Sequence, residues 1–128
     1  MSSLNLTIAN PLKVLLKETS HMVLLPTVDG EIGVLYDHIP MIVSLNFGLI
    51  KIAASTNDII EAFYIDGGVA RVDGKNLDVI CNHMLSSAGL DIENLLAQMS
   101  SIDNLTIMSD KKEFYDKIYL HLRQKNSK

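Results

Sequence analysis

The sequence predicts a β-sandwich or barrel that is followed by two short helices. In the first two-thirds of the 128 residues, short apolar runs alternate with turn residues, as they do in closed or two-layered sheets. After Gly89 the apolar residues recur at helical spacing. No apolar run reaches the roughly 18 residues that a membrane-spanning helix needs.

The β region begins with a strand at Leu4–Ile8, in which leucine and isoleucine alternate with polar or small residues. Runs bounded by proline, glycine or asparagine predict further strands at Val14–Leu16, Met22–Leu25, Ile42–Val43, Leu49–Ile52 and Glu61–Ile65. The polar residues Ser55–Asp58 predict a hairpin turn between the last two strands.

Asp73-Gly74 is the strongest local turn signal, because it separates the apolar runs Val69–Val72 and Leu77–Cys81. Asp-Gly favours the positive φ angles of a type I′ hairpin. Cys81 shares one face of its predicted strand with Leu77 and Val79, so we expect a buried thiol and not a reactive one.

The C-terminal third predicts an αα-hairpin whose helices are joined by residues 101–109. Asp91 is placed to cap the first helix, and Asp110 with Glu113 forms a pair resembling a capping box before the second. The apolar stripes are Ile92, Leu95, Leu96 and Met99 in the first helix, and Phe114, Tyr115, Ile118, Tyr119 and Leu122 in the second. The predicted organisation is a β domain at 1–85, a hinge at 86–89 and a helical hairpin at 90–128.

Composition excludes several functions. The net charge is −4, tryptophan is absent and only 5% of residues are aromatic, which argues against a nucleic-acid partner. Cys81 is the only cysteine, so neither an internal disulfide nor a cysteine-based zinc site is possible. The N-terminal residues lack the basic start and apolar stretch of a secretory signal, which favours a protein on the cytoplasmic side.

Charge is unevenly distributed along the chain. Residues 1–109 hold five Lys or Arg against twelve Asp or Glu, a balance of −7, whereas residues 110–128 hold six against three, a balance of +3. The tail is therefore expected to face an acidic surface, in this chain or in a partner. Cations near a helix C-terminus, where the macrodipole favours them, account for the same pattern equally well.

The densest polar cluster contains Asp29, Glu31, Asp37 and His38. A metal-dependent hydrolase using Glu31 and His38 is one interpretation of it. The spacing matches no metalloprotease helix, phosphate loop or nucleophile elbow. We therefore predict no catalytic, metal-binding or cofactor-binding residues. Gly67-Gly68 precedes a predicted strand and not a helix, so close backbone packing or a bulge is favoured there over a phosphate loop.

Two stretches resemble the epsilon subunits of rotary ATP synthases. The first is Leu25–Leu35 followed by His38 and Pro40, and the second is Tyr64–Val69 followed by Val72. The opening strand and the Leu77–Ile80 strand also match in type and position, so that the resemblance covers residues 4–85. The helical tail resembles the family in architecture more than in sequence.

The resemblance implies a sandwich of about ten strands with a C-terminal helical hairpin. It implies a non-catalytic central-stalk subunit that grips the gamma subunit and rests on the membrane-embedded c-ring, where it couples proton flow to ATP synthesis. Glu31 and His38 are the positions that match c-ring contacts. The implied location is peripheral, on the cytoplasmic side of the bacterial inner membrane, with membrane association only through the complex.

The family's helical tail can extend into the alpha/beta catalytic head and restrain ATP hydrolysis. The resemblance therefore implies contacts with an acidic loop of that head, for which the basic residues of the tail are candidates: Lys111, Lys112, Lys117, Arg123 and Lys125.

Three departures from the family pattern limit what carries over. Tyr36-Asp37 stands where many members have Pro-Gly, and Asp66 stands where serine is usual. ATP-sensing members begin the first tail helix with Asp-x-x-Arg-Ala, but Asp91–Leu95 lacks that arginine. We therefore expect no tight ATP binding by the isolated chain. A β-sandwich adaptor unrelated to ATP synthase is the alternative function.

Overall fold

The computed structural model describes residues 3–55, 57–102 and 109–126; of residues 99–102, 109–111 and 125–126 it describes the backbone alone. The strands are β1 Leu4–Ala9, β2 Val14–Ser20, β3 Met22–Thr27, β4 Gly30–Leu35, β5 His38–Leu45, β6 Gly48–Ser55, β7 Asp58–Ile65, β8 Gly68–Gly74, β9 Asn76–Ile80 and β10 Met84–Ser86. The helices are α1 Ile92–Ile102 and α2 Ser109–Asn126. The chain divides into two compact units, Met1–Ser87 and Ala88–Lys128.

The ten strands form one hydrogen-bonded set in the order β10-β7-β6-β3-β5-β8-β9-β1-β2, with β4 paired to β3. β1 and β9 pair in parallel, and the other pairs are antiparallel. β2, the last strand in this order, also contacts β6, the third, so the sheet curves back on itself. This arrangement confirms the predicted β-sandwich followed by helices.

The core of the β unit follows from period-2 alternation in the strands. In β1 the side chains of Leu4, Leu6 and Ile8 are buried while Asn5 is exposed, as predicted. Leu77, Val79 and Cys81 are likewise buried on one side, which confirms the buried thiol. Each fully buried leucine or isoleucine contributes about 1.5–3 kcal/mol of transfer free energy, so this core stabilises the sandwich.

The two predicted hairpins are present, but one turn has a different type. Ser55 pairs with Asp58 as expected, although Thr56 lies outside the described residues. Asp73 pairs with Asn76, so the turn is Gly74-Lys75 and not Asp73-Gly74. Of its two central residues, Gly74 has a positive φ of 59° and Lys75 does not. The type I′ prediction is therefore wrong, because a positive φ at the first central residue alone belongs to a type II′ turn.

Gly67 and Gly68 form the close backbone approach that the sequence indicates. Their φ angles are 123° and 138°. A Cβ atom on Gly68 would lie 2.0 Å from the carbonyl oxygen of Ile80. Glycine is therefore required where β8 begins beside the end of β9.

In the helical unit, the backbone N–H of Asn94 donates to Asp91 Oδ1 at 2.8 Å, which confirms Asp91 as the N-cap of α1. Leu95 is buried, but Leu96 is 48% exposed, so the first stripe is narrower than predicted; the Met99 side chain lies outside the described residues. The spacing of apolar residues does not by itself determine how wide the buried face of a helix is, and Leu96 lies at the margin of that face.

The second stripe is confirmed, because Phe114, Tyr115, Ile118 and Leu122 are buried and Tyr119 is partly buried. The Tyr115 hydroxyl lies 3.4 Å from Gln98 Oε1 and joins the two helices, which contact each other as in a hairpin. Within the described parts of the chain, neither helix is long and apolar enough to cross a membrane.

Candidate partner-binding site

Glu31 lies near the start of β4 and is held by a lysine of the sheet. β3 lies between β4 and β6, with Pro26 opposite Glu31 and Leu24 opposite Lys51. Lys51 Nζ lies 3.0 Å from Glu31 Oε2, and the Glu31 side chain is 44% exposed. The carboxylate is thus partly neutralised by Lys51 but still reaches solvent.

His38 begins β5 after a short connection that includes a strained residue. Its Nδ1 lies 2.8 Å from the carbonyl oxygen of Ile39, a contact in which the ring nitrogen can donate. Asp37 has a φ of 67°, which a non-glycine residue rarely adopts, and its N–H donates to the carbonyl of Gly74 at 3.0 Å. This bond fixes the connection against the β8–β9 turn.

Glu31 lies near the start of β4, whereas His38 follows the end of β4 and begins β5, so the two are not brought together. The five residues from Glu31 to Leu35 span about 13 Å along the strand. Two ligands of one metal ion or an acid–base pair would have to lie within a few ångströms of a common atom. Among the described residues, no group of three or more His, Cys, Asp or Glu could hold a metal ion. The described geometry therefore does not bring Glu31 and His38 together as the hydrolase interpretation requires.

The outward face of β8, β9, β1 and β2 carries a row of apolar residues that sequence reasoning missed. Val69, Ile80, Ala9 and Val14 lie directly opposite one another on these consecutive strands, and we call them the apolar row. Val69, Ile80 and Val14 are 45%, 48% and 53% exposed. Ile42 on the adjoining β5 is 75% exposed on the same face. Contiguous exposed apolar residues mark a surface that another molecule covers.

A signal for this row was present in the sequence. In the run Val79-Ile80-Cys81 the strand period sends Val79 and Cys81 to the same face, so that Ile80 must point the other way. Farther along the outward face the neighbours become polar, with Thr7 opposite Asp78 and Lys17, and Asn5 opposite Asn76 and Thr19. The face is therefore apolar at one end and polar at the other.

A cavity of about 400 Å³ opens beside the apolar row, lined by Leu45, Asp66, Gly67, Gly68, Val69, Ile80, Cys81 and Asn82. Asp66 Oδ1 accepts hydrogen bonds from the backbone N–H groups of Asn82 and His83, both at 3.1 Å. Burial, with a smaller contribution from the Asp66 charge, raises the pKa of the Cys81 thiol to about 12. The thiol is therefore protonated and unreactive at neutral pH.

The predicted basic residues of the tail lie on α2. Lys112, Lys117 and Arg123 are exposed, while the side chains of Lys111 and Lys125 lie outside the described residues. Lys117 Nζ lies 3.7 Å from Glu113 Oε1, an exposed pair at i, i+4. At the start of α1, Asn94 occupies the position of the missing arginine, and its side-chain amide donates to the carbonyl of Gly89 at 3.1 Å.

The comparisons with known proteins agree with this architecture. Residues 3–87 match the family model described as "ATP synthase, Delta/Epsilon chain, beta-sandwich domain". The chain is 34% identical over 101 residues to an ATP synthase epsilon chain of Rickettsia bellii, with 76% of this chain and 94% of the relative covered. It is 27% identical over 93 residues to the "sodium ion specific" epsilon chain of Propionigenium modestum, with 73% of this chain and 66% of the relative covered.

Among solved structures, one chain of the Euglena gracilis mitochondrial ATP synthase (OSCP/F1/c-ring) has the same fold. The TM-score is 0.67 at 19% identity, with 97% of this chain and 81% of that chain covered. The family model spans the whole β unit, and the Rickettsia relative is matched over nearly its full length. The chain therefore belongs to the delta/epsilon family of ATP synthase subunits.

Proposed function

We propose that the chain is a non-catalytic rotor subunit in the central stalk of a bacterial ATP synthase. It couples proton flow through the membrane ring to ATP synthesis in the alpha/beta catalytic head. Its location is peripheral, on the cytoplasmic side of the inner membrane, through the other subunits of the complex. Family membership supports this proposal, and it argues against the alternative of a sandwich adaptor unrelated to ATP synthase.

The single observation that carries the proposal is the apolar row on the outward face of the sandwich. A coupling subunit must bind the gamma subunit tightly enough to transmit torque, and burial of apolar surface supplies most of such affinity. The apolar row with the adjoining Ile42 is the gamma-binding surface in this proposal. The polar end of the same face forms the rim of the interface, where contacts set register more than affinity.

The c-ring contact in this proposal runs along the exposed edge strand β4. Glu31 lies near the start of that strand and His38 follows its end, at the start of β5, so they do not share one small site. They can instead meet polar loops of two neighbouring ring subunits. The partly neutralised Glu31 suits this role, since rim charges orient a partner at little cost in desolvation.

The helical unit restrains ATP hydrolysis in this proposal, through electrostatic contacts of α2 with an acidic surface of the catalytic head. Its support is the exposure of Lys112, Lys117 and Arg123 and the +3 balance of residues 110–128. Lys111 and Lys125 belong to the same proposed set.

Binding to a cognate gamma subunit tests the proposal. We expect Val69→Glu and Ile80→Glu each to weaken gamma binding by tenfold or more, because an unpaired carboxylate buried in an interface costs at least about 2 kcal/mol. Isothermal titration calorimetry with the full chain measures the effect, and circular dichroism checks that the fold is kept.

The matched control is Thr19→Glu, which places the same charge at the polar end of the same face. It should change binding by less than threefold. If the wild-type chain binds gamma and the Val69 and Ile80 variants bind as tightly, the apolar row is not the gamma surface. If the wild-type chain fails to bind at all, the rotor function is contradicted.

A further inference from the structure

The cavity beside the apolar row combines apolar walls with one fixed carboxylate. Leu45, Val69 and Ile80 are the apolar residues of its lining, and the backbone of Gly67 and Gly68 supplies another part. Its volume of about 400 Å³ falls within the range of about 300–1,000 Å³ of small-ligand sites. One side chain of a partner that covers the apolar row could enter it.

The carboxylate of Asp66 decides the chemistry of that side chain. Its Oδ1 atom accepts hydrogen bonds from the N–H groups of Asn82 and His83, which fix the carboxylate within the lining of the cavity. Oδ2 has no hydrogen-bond partner among the residues that the structure describes. The Cys81 thiol beside it is protonated and neutral, so it does not offset the negative charge of Asp66.

A partner that covered this cavity with a purely apolar side chain would strip water from Asp66 and leave a carboxylate unpaired. That costs several kcal/mol, whereas a cation placed on Oδ2 offsets the desolvation. Lysine and arginine both combine an apolar stem with a charged tip. The guanidinium group is planar, less strongly hydrated and able to donate to a carboxylate in a fixed direction, which favours arginine.

We propose that this cavity receives an arginine side chain of the gamma subunit, with its stem against Val69 and Ile80 and its guanidinium on Asp66 Oδ2. The inference rests on the proposed function, because it names the anchor within the proposed gamma surface. Buried arginines of this kind are frequent energetic centres of interfaces.

The test compares gamma binding by the full chain and by Asp66→Asn. An asparagine keeps an oxygen acceptor for the N–H groups of Asn82 and His83, so the fold is retained while the charge is lost. We expect at least tenfold weaker binding and a shallower dependence of affinity on salt concentration. Asp58→Asn, the same change in an exposed residue at the start of β7, should leave both unchanged.

A second measurement uses the chain without its partner. Titration with n-butylguanidinium should shift the amide NMR signals of Gly67, Gly68 and Asn82 in the wild type and not in Asp66→Asn, while neutral n-butylurea shifts neither. Tight gamma binding that is equal in wild type and Asp66→Asn would overturn this inference and leave the proposed function standing. Failure of the wild type to bind gamma would overturn both.

Discussion

At the scale of single residues, Glu18 and Glu61 form a pair of carboxyl groups where the two ends of the strand order approach each other. Glu18 on β2 lies opposite Leu6, and Glu61 on β7 lies opposite Ile52. The two glutamates therefore lie on the same face of the sheet as the core residues Leu6 and Ile52, at its margin, where Glu18 is half-buried and Glu61 is exposed. Burial, then a hydrogen bond with Glu61 and its charge, raise the pKa of Glu18.

A carboxyl group whose pKa is raised on folding binds its proton more strongly in the folded chain. It therefore stabilises folding below its ordinary pKa, and that contribution is lost as the pH rises through the raised value. We expect Glu18→Gln to unfold at a higher temperature than the wild type at about pH 7, and the difference to shrink towards about pH 4. Thermal denaturation followed by circular dichroism measures both.

Glu93→Gln is the control for this prediction, because it removes a carboxylate from the first turn of α1. There a negative charge is favourable, so this variant should be neutral or slightly less stable at pH 7, the opposite sign. If Glu18→Gln and the wild type unfolded at the same temperature at every pH, ionisation of Glu18 beside Glu61 would not destabilise the fold, and the prediction would be contradicted.

At the scale of elements, the approach of β8 to β9 depends on Gly68. An alanine there must adopt a φ of 138° and place its Cβ 2.0 Å from the carbonyl oxygen of Ile80. Gly74→Ala is the matched control, because Gly74 also has a positive φ but nothing lies within 4 Å of an added Cβ. We expect about 1–2 kcal/mol of destabilisation for Gly74→Ala and roughly 3–5 kcal/mol for Gly68→Ala, measured by urea denaturation. If the two variants were destabilised equally, β8 and β9 would be able to move apart around the added methyl group without a further loss of stability.

The elements themselves could be predicted because each strand and each helical stripe carries its own period. Leu4, Leu6 and Ile8 alternate, and Phe114 to Leu122 recur at helical spacing, so local chemistry decides both. The type of the β8–β9 turn could not be predicted, because Asp73-Gly74 and Gly74-Lys75 differ by one residue of strand register. Pairing across the sheet, with Asp73 opposite Asn76, settles that register.

At the scale of the whole molecule, the candidate site depends on contacts between distant segments. Residues 9, 14, 69 and 80 meet only because β1 inserts between β9 and β2. The parallel pairing of β1 with β9 leaves no local signal in the chain. Glu31 and His38 show the converse, since they are close in sequence but the length of β4 separates them: Glu31 lies near its start, and His38 follows its end. Their proximity in sequence suggested one compact polar site, but the fold places the two residues apart.

The proposed restraint of ATP hydrolysis belongs to the scale of the whole molecule, because it requires the helical unit to act on other subunits. We expect Arg123→Glu to raise ATP hydrolysis by the assembled complex several-fold, since losing about 1.4 kcal/mol of attraction lowers the ratio of inhibited to active complex about tenfold. Arg123 is exposed on α2, and its reversal leaves the Lys117–Glu113 pair intact. A coupled assay of ATP hydrolysis on reconstituted complex measures the change.

Lys75→Glu supplies the control, because it makes the same charge reversal in the β8–β9 turn of the sandwich and should leave ATP hydrolysis unchanged.

A second experiment removes the helical unit by ending the chain at Ser87. Strand β10 includes Ser86, and the Ser87 N–H and Oγ both donate to the carbonyl of Ala62, at 3.0 Å and 2.9 Å, so a stop at Ser87 keeps the whole β unit. That chain should still assemble and should raise hydrolysis at least as much as Arg123→Glu. If it assembles and hydrolysis stays at the wild-type rate, the helices do not restrain the enzyme, while coupling through the sandwich is untouched. If only Arg123→Glu is silent, the restraint acts through α-helical contacts other than this cation.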